Sequence, residues 1–145
     1  MNLKKLWCTI VKLPLLNRES NMHISQEGIA LIKKFEGCEL KAYLCPAQKW
    51  TIAYGRIKDV KEGDTCTQEQ AEAWLEEELI EYEDYVKKLV TVSLEQNQFD
   101  ALVCWTYNLG PTNLNDSTML KLLNAGDYHT VPVSYTHLRA HETLS

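Results

Sequence analysis

Glu36, Cys45 and Thr51 fall inside the stretch FEGCELKAYLCPAQKWTIAYGR, in which a carboxylic acid ends an amphipathic helix and a Tyr- and Thr-rich β segment follows. Such an arrangement holds an acid over a sugar. A glycosidic oxygen is a poor leaving group, so a protonated carboxyl must donate to it while a second group serves the opposite face of the ring. Glu36 suits the donor. At the C-terminal end of its helix its carboxylate faces the negative pole of the helix dipole, and an apolar lining from Phe35 and Tyr43 is expected to add desolvation. Both effects favour the protonated form. Thr51 offers a hydroxyl on a strand facing the same cleft, from which it can hold an attacking water.

The elements that must position these groups are legible from period and punctuation. Ser25 caps a helix with Glu27 in its first turn and Ile24, Ile29, Ile32 and Phe35 on one face, ending at Gly37. Next, LKAYLCPAQKWTIAYGRIKDV alternates with period two after a Pro46-containing turn, which predicts two or three short strands. Thr67 to Gln70 forms a capping box for a long helix whose stripe is Ala71, Trp74, Leu75, Leu79, Tyr82, Val86 and Leu89. Its acidic run, Glu76, Glu77, Glu78, Glu81, Glu83 and Asp84, reads as a solvated outer face. Ser93 to Gln96 makes a second capping box for a helix marked by Phe99, Leu102, Val103 and Tyr107 and closed by Gly110 and Pro111, and Asn115 or Asp116 opens a last helix ending at Gly126. No internal repeat or low-complexity tract interrupts this order.

The chain has 145 residues, 45% of them hydrophobic, which suits one soluble globular domain with a single core. Lys12 and Pro14 break the only apolar run near the N-terminus, so stable membrane insertion is not expected. Residues 1–21 read as upstream read-through or a disordered tail ahead of a start at Met22, in preference to an export signal. At the other end, VSYTHLRAHET matches translated sequencing-library adapter, so residues 133–145 are expected to be an appended tail and the native sequence to stop near Val131 or Pro132. His137 and His141 have helical metal-ligand spacing, but adapter codons account for them, and no metal or cofactor is expected.

The net charge is −5; residues 1–21 carry +3 and residues 133–145 balance, leaving −8 for residues 22–132. An acidic domain of this kind argues against nucleic acid as a partner, because phosphate neutralisation needs clustered Lys and Arg. Any polymer must then be gripped by shape and local hydrogen bonds. Cys8, Cys38, Cys45, Cys66 and Cys104 are scattered without CxxC spacing, so neither a zinc site nor a disulfide framework is signalled.

FEG, AY, TIAYGR, NQFDALVCWTYNLG and STMLKLLNAGDY, in this order, resemble the phage lysozymes of glycoside hydrolase family 24, the endolysins of lambdoid and T-even type, over residues 22–132. The family pattern of Glu, eight residues, Asp or Cys, five residues and Thr falls on Glu36, Cys45 and Thr51. The resemblance implies hydrolysis of the β-1,4 bond between N-acetylmuramic acid and N-acetylglucosamine in peptidoglycan. It also implies an enzyme of the host cytoplasm that reaches the periplasmic wall after holin-mediated release. Cys45 stands where aspartate is commoner, and a thiol near pH 7 is mostly neutral. It reads as a thiolate nucleophile, a packed residue or, by preference, a group that orients water. Tyr43, Tyr54, Asn108 and Thr118 are candidate sugar contacts, with Asn108 equally readable as the cap of its helix end. Ala53 and Arg56 stand where the family writes Gly and His in its GYGH motif, and the family's further C-terminal helices are not found.

The expected fold is α+β of lysozyme type: a first helix and small sheet in one lobe, a long connecting helix, and a helical lobe lacking its last elements, with the cleft between lobes. The expected partner is the peptidoglycan glycan strand, and the expected state is a monomer. Two rival readings are a non-catalytic peptidoglycan-binding fragment and a helical partner-binding protein using the acidic face.

Overall fold

The computed structural model describes residues 22–127. The N-terminal extension, the adapter-like tail and the His137/His141 pair lie outside the described residues. Helix α1 (Gln26–Glu36) starts where Ser25 Oγ accepts the Gly28 N–H at 3.1 Å, and it stops at Gly37, whose φ of 67° ends the helical path. Asp100 accepts the Ser25 backbone N–H at 3.0 Å and also its hydroxyl, so the cap is itself anchored to the helical lobe.

Strands β1 (Glu39–Leu44) and β2 (Trp50–Ala53) form an antiparallel pair in register at Tyr43 with Thr51 and Leu44 with Trp50. The register is interrupted before it resumes at Glu39 with Ala53. The connecting turn closes through Gln48 N–H to Cys45 O at 2.8 Å and Cys45 N–H to Lys49 O at 3.0 Å, with Gln48 left-handed at φ 59°. An isolated bridge between Lys41 and Thr65 adds a fragment of a third strand, in keeping with the two or three short strands anticipated.

Helix α2 (Gln68–Leu89) follows a capping box in which Thr67 Oγ1 accepts the Gln70 N–H at 3.1 Å and Gln70 Oε1 accepts the Thr67 N–H at 3.0 Å. At 1.5 Å per residue it runs about 33 Å, enough to join the β lobe to the helical lobe. Helix α3 (Gln96–Leu109) is sheathed on nearly all sides: Phe99, Leu102, Val103, Trp105 and Thr106 are all buried. It is the axis of the core. Two short helices, α4 (Pro111–Asp116) and α5 (Thr118–Asn124), fold back on it. Asn124 ties this end to α2 by accepting the Thr91 N–H and donating to Leu89 O, both at 2.9 Å.

Three local expectations differ from the structure. The capping box before α3 is not Ser93 with Gln96 but Glu95 with Gln98, whose Oε1 accepts the Glu95 N–H at 2.8 Å. The chain enters the helix two residues later, where the reciprocal Glu95–Gln98 pair satisfies the first free N–H groups. The last helix opens at Ser117, whose Oγ accepts the Leu120 N–H at 3.0 Å, while Asn115 and Asp116 end the preceding turn. Finally, the acidic run of α2 is not wholly a solvated face. Glu83 is only 3% exposed, accepts the Ile24 N–H at 2.8 Å and pairs with His23 Nδ1 at 2.9 Å. A buried carboxylate is tolerated there because the incoming chain supplies its donors.

Candidate active site

Glu36 is the last residue of α1, and its carboxyl enters a cleft of about 890 Å³. One wall comes from the β lobe, with Ala47, Lys49 and Gly55 to Lys58; another comes from α2, with Glu77, Glu78, Glu81 and Tyr82; the end of α3 closes it through Tyr107 to Gly110. Burial pushes the Glu36 carboxyl above the ordinary carboxylate value, so the group keeps its proton further towards neutral pH. The source of that burial is not the one read from the sequence. Phe35 and Tyr43 are 42% and 43% exposed and neither lines the cleft. What closes on the carboxyl is the turn after β2. A Cβ placed on Gly55 would come into contact with Glu36 Oε2 at 3.4 Å, so the turn backbone lies about one methyl group away from the acid.

That turn is held from two sides. Arg56 exchanges backbone hydrogen bonds with Ile52, 2.9 Å each way, which closes the turn into a tight loop. From α3, Tyr107 Oη donates to the Tyr54 carbonyl at 2.6 Å. Burial, together with the nearby Glu78 and Glu36 charges, drives the Tyr107 phenol far above its ordinary value, so it stays a donor at all working pH. From α2, Glu78 Oε1 receives the Arg56 guanidinium at 2.7 Å, and that guanidinium lies 5.0 Å above the Trp74 ring. Burial raises the Glu78 carboxyl more than Arg56 lowers it.

Cys45 and Thr51 adjoin this cleft through Lys49. The Lys49 carbonyl accepts the Cys45 N–H at 3.0 Å and the Thr51 hydroxyl at 3.1 Å, while Lys49 itself lines the wall. Hydrogen bonds from the Lys49 backbone and the Thr51 hydroxyl hold the Cys45 thiol below its ordinary value. Thr51 is 4% exposed, so its hydroxyl is fixed in place. Glu36 lines the cleft, whereas Cys45 and the buried Thr51, expected to face it, are not among its lining residues and are linked to it through Lys49. Cys104, by contrast, is buried and inert, its thiol pushed up to about 12 by burial, with Asp100 adding to the effect.

The four candidate sugar contacts separate. Asn108 lines the cleft, and its Nδ2 also donates to Cys104 O at 3.2 Å, so it serves its helix end as well. Tyr54 is buried, and its hydroxyl accepts from Gln68 Nε2 at 2.9 Å. Its side chain is turned to the α2 entrance. Tyr43 and Thr118 are exposed and lie outside the cleft lining, Thr118 as the first residue of α5. Among the described residues no group of three or more His, Cys, Asp or Glu side chains is placed to hold a metal ion. Nor is any described helix long and apolar enough to cross a membrane.

Sequence reasoning missed Tyr107 and the Arg56–Glu78 pair as parts of this cleft. Tyr107 read as one more apolar position of a helix stripe, and Glu78 as one of six acids on a solvated face. The only available signal was Arg56, which was visible as a departure from GYGH but had no partner in the sequence.

Comparison with known proteins agrees with this geometry. The family described as Phage lysozyme matches residues 33–141. An endolysin of Acyrthosiphon pisum secondary endosymbiont phage 1 is 47% identical over 107 residues, covering 74% of this chain and 73% of that protein. An endolysin of Bacillus phage B103 is 46% identical over 110 residues; the match takes in 74% of this chain but 42% of that longer protein. Among solved structures, an endolysin from Escherichia coli O157:H7 phage FAHEc1 superposes with a TM-score of 0.73 at 42% identity, over 79% of this chain and 75% of that one. A fold of helices around a small antiparallel sheet, an acid at the end of the first helix and a family match over more than half of the sequence lead to one conclusion: this chain belongs to the phage lysozyme family.

Proposed function

We propose that this protein is a muramidase-type endolysin, a glycoside hydrolase that cuts the β-1,4 bond between N-acetylmuramic acid and N-acetylglucosamine in peptidoglycan and so lyses the bacterial host. The observation that carries the reading is the half-buried Glu36 carboxyl, raised above its ordinary value at the edge of a cleft of polymer-binding size. Glu36 acts as general acid. It delivers its proton to the bridging oxygen as the C–O bond breaks; a water then adds its OH at the anomeric carbon, and the proton it releases restores the Glu36 carboxyl directly or through solvent. The Cys45–Thr51 pair orients that water. A thiol held by the Lys49 backbone and the Thr51 hydroxyl is a directional hydrogen-bonding group, which is what orientation requires. Asn108 contributes to holding the sugar from the helical lobe.

The partner is the glycan strand of the wall, and the protein acts as a monomer in the periplasm after release from the host cytoplasm through a holin. The endolysin names of the relatives support the wall as the site of action. A binding fragment without turnover is not favoured, because the family match and the relatives named endolysin point to the enzyme.

The test is clearing of outer-membrane-permeabilised Gram-negative cells. Glu36→Gln is isosteric and should remove the general-acid contribution, on the order of 10²–10⁴ in rate. Full clearing by that variant rules out the acid role. Because the carboxyl is raised, wild-type clearing should persist towards neutral pH and decline as the pH passes the raised value. The same raise means that Glu36 stabilises the fold below the ordinary carboxylate value and loses that contribution as pH rises, so Glu36→Gln should melt no lower than wild type at pH 7.

A further inference from the structure

The turn beside the acid combines its own backbone bonds with unfavourable backbone angles. Residues 53–56 form a tight loop with left-handed φ at Ala53 (55°) and Gly55 (91°), closed by the paired Ile52–Arg56 backbone hydrogen bonds, and Gly55 faces Glu36 Oε2. We infer that Arg56, through its ion pair with Glu78 and its stacking on Trp74, is a positioning residue that latches this turn across the cleft onto the Glu36 carboxyl.

This inference rests on the muramidase reading above and adds to it a residue that acts through the surroundings of the acid. Three observations support it. The Arg56–Glu78 contact spans two elements, the β-lobe turn and α2, at 2.7 Å with both side chains largely sequestered, at 15% and 19% exposure. Arg56 is adjacent in sequence to Gly55, so its anchored side chain adds a restraint on the backbone facing the acid. The second anchor, Tyr107 Oη to Tyr54 O, comes from a different helix, so the latch and the tyrosine restrain the loop from separate directions. A near-planar guanidinium between a carboxylate and an indole is restrained in both distance and orientation, which an ammonium could not match.

The residue type has a consequence. A histidine at this position would lose its charge near neutral pH, whereas a guanidinium does not titrate there. Arg56 therefore stays charged up to mildly alkaline conditions, and on the acid side the pair lasts until its raised partner, the Glu78 carboxyl, takes up a proton. The other titratable groups facing the cleft are Lys49 and Lys58 from the β lobe, Glu77, Glu81 and Tyr82 from α2, and Tyr107 from α3. All are unchanged in the variants below.

The signs separate positioning from simple charge. Removing a nearby cation makes a carboxylate harder to ionise and would move the alkaline limb of kcat to higher pH; uncovering Glu36 to water makes it easier to ionise and moves that limb to lower pH. In the full chain, Arg56→Ala and Arg56→Met, the latter retaining the stem packed on Trp74, are to be assayed on soluble murein fragments from pH 4.5 to 9. Folding is checked by circular dichroism at the assay temperature. The expected result is a kcat about tenfold lower at pH 7 with KM within about twofold, and an alkaline limb displaced to lower pH. Arg56→His should recover most of the lost kcat at pH 5.5 and little at pH 8. An unchanged limb, a limb moved to higher pH, or a histidine variant equally active at both pH values overturns the latch. Activity surviving Glu36→Gln would instead overturn the muramidase reading, so the two failures are distinguishable.

Discussion

Two non-glycine residues near the site, Gln48 and Ala53, have left-handed backbone, and replacing each by glycine should give different results for a calculable reason. A left-handed conformation costs an L-residue about 1–2 kcal/mol that glycine does not incur. Glycine in turn loses about 0.4–1 kcal/mol more through the freedom of the unfolded chain. Gln48 is exposed at the turn between β1 and β2, so nothing else enters the comparison. Gln48→Gly should therefore stabilise by about 0.5–1 kcal/mol, or roughly 2–6 °C in melting temperature for a domain near 100 residues. Ala53 is 3% exposed at the end of β2. Deleting its methyl forfeits about 0.8 kcal/mol of burial, which cancels the relief of strain and leaves Ala53→Gly within about 0.5 kcal/mol of wild type. Thermal melts and urea titrations of both variants measure the contrast. If Gln48→Gly is destabilised, or if Ala53→Gly gains as much as Gln48→Gly, the backbone argument fails at these positions.

Two further predictions concern groups whose surroundings only the structure showed. Iodoacetamide at pH 7.5 should alkylate Cys45 before Cys66 and well before Cys104, because hydrogen bonds favour the first thiolate while burial disfavours the other two; peptide mass spectrometry over time gives the order. Clearing activity should fall in step with modification of Cys45, and loss that tracks another cysteine would remove it from the site. Glu83→Ala should destabilise by about 2 kcal/mol, since the Ile24 N–H and His23 lose their buried acceptor together; an effect below about 0.5 kcal/mol in urea unfolding would return Glu83 to the solvated face.

What could be read from the residues in order was whatever depends on local period and local chemistry. Ser25, Gly37, Thr67 and Gln70 mark helix boundaries because capping is settled within four residues of chain, and the structure keeps each of them. The spacing of Glu36, Cys45 and Thr51 was legible for the same reason: a helix end, a turn and a strand carry the three side chains over a short stretch. The α3 entry was misread because Ser93 is the better cap by residue type, whereas the helix starts after Glu95 with the reciprocal Glu95–Gln98 pair.

The tertiary structure alone decided what surrounds the acid. Glu78 and Glu83 belong to one acidic run, yet one reaches Arg56 across the cleft and the other is buried under the incoming chain at His23 and Ile24. Nothing in a run of carboxylates distinguishes them, because the partners that do so lie 22 and about 60 residues away. Glu36 was recognisable as an acid from its place on a helix. Its raised carboxyl is a property of the space between α1, the Gly55 turn and Tyr107, since desolvation depends on what packs nearby in three dimensions and not on neighbours along the chain.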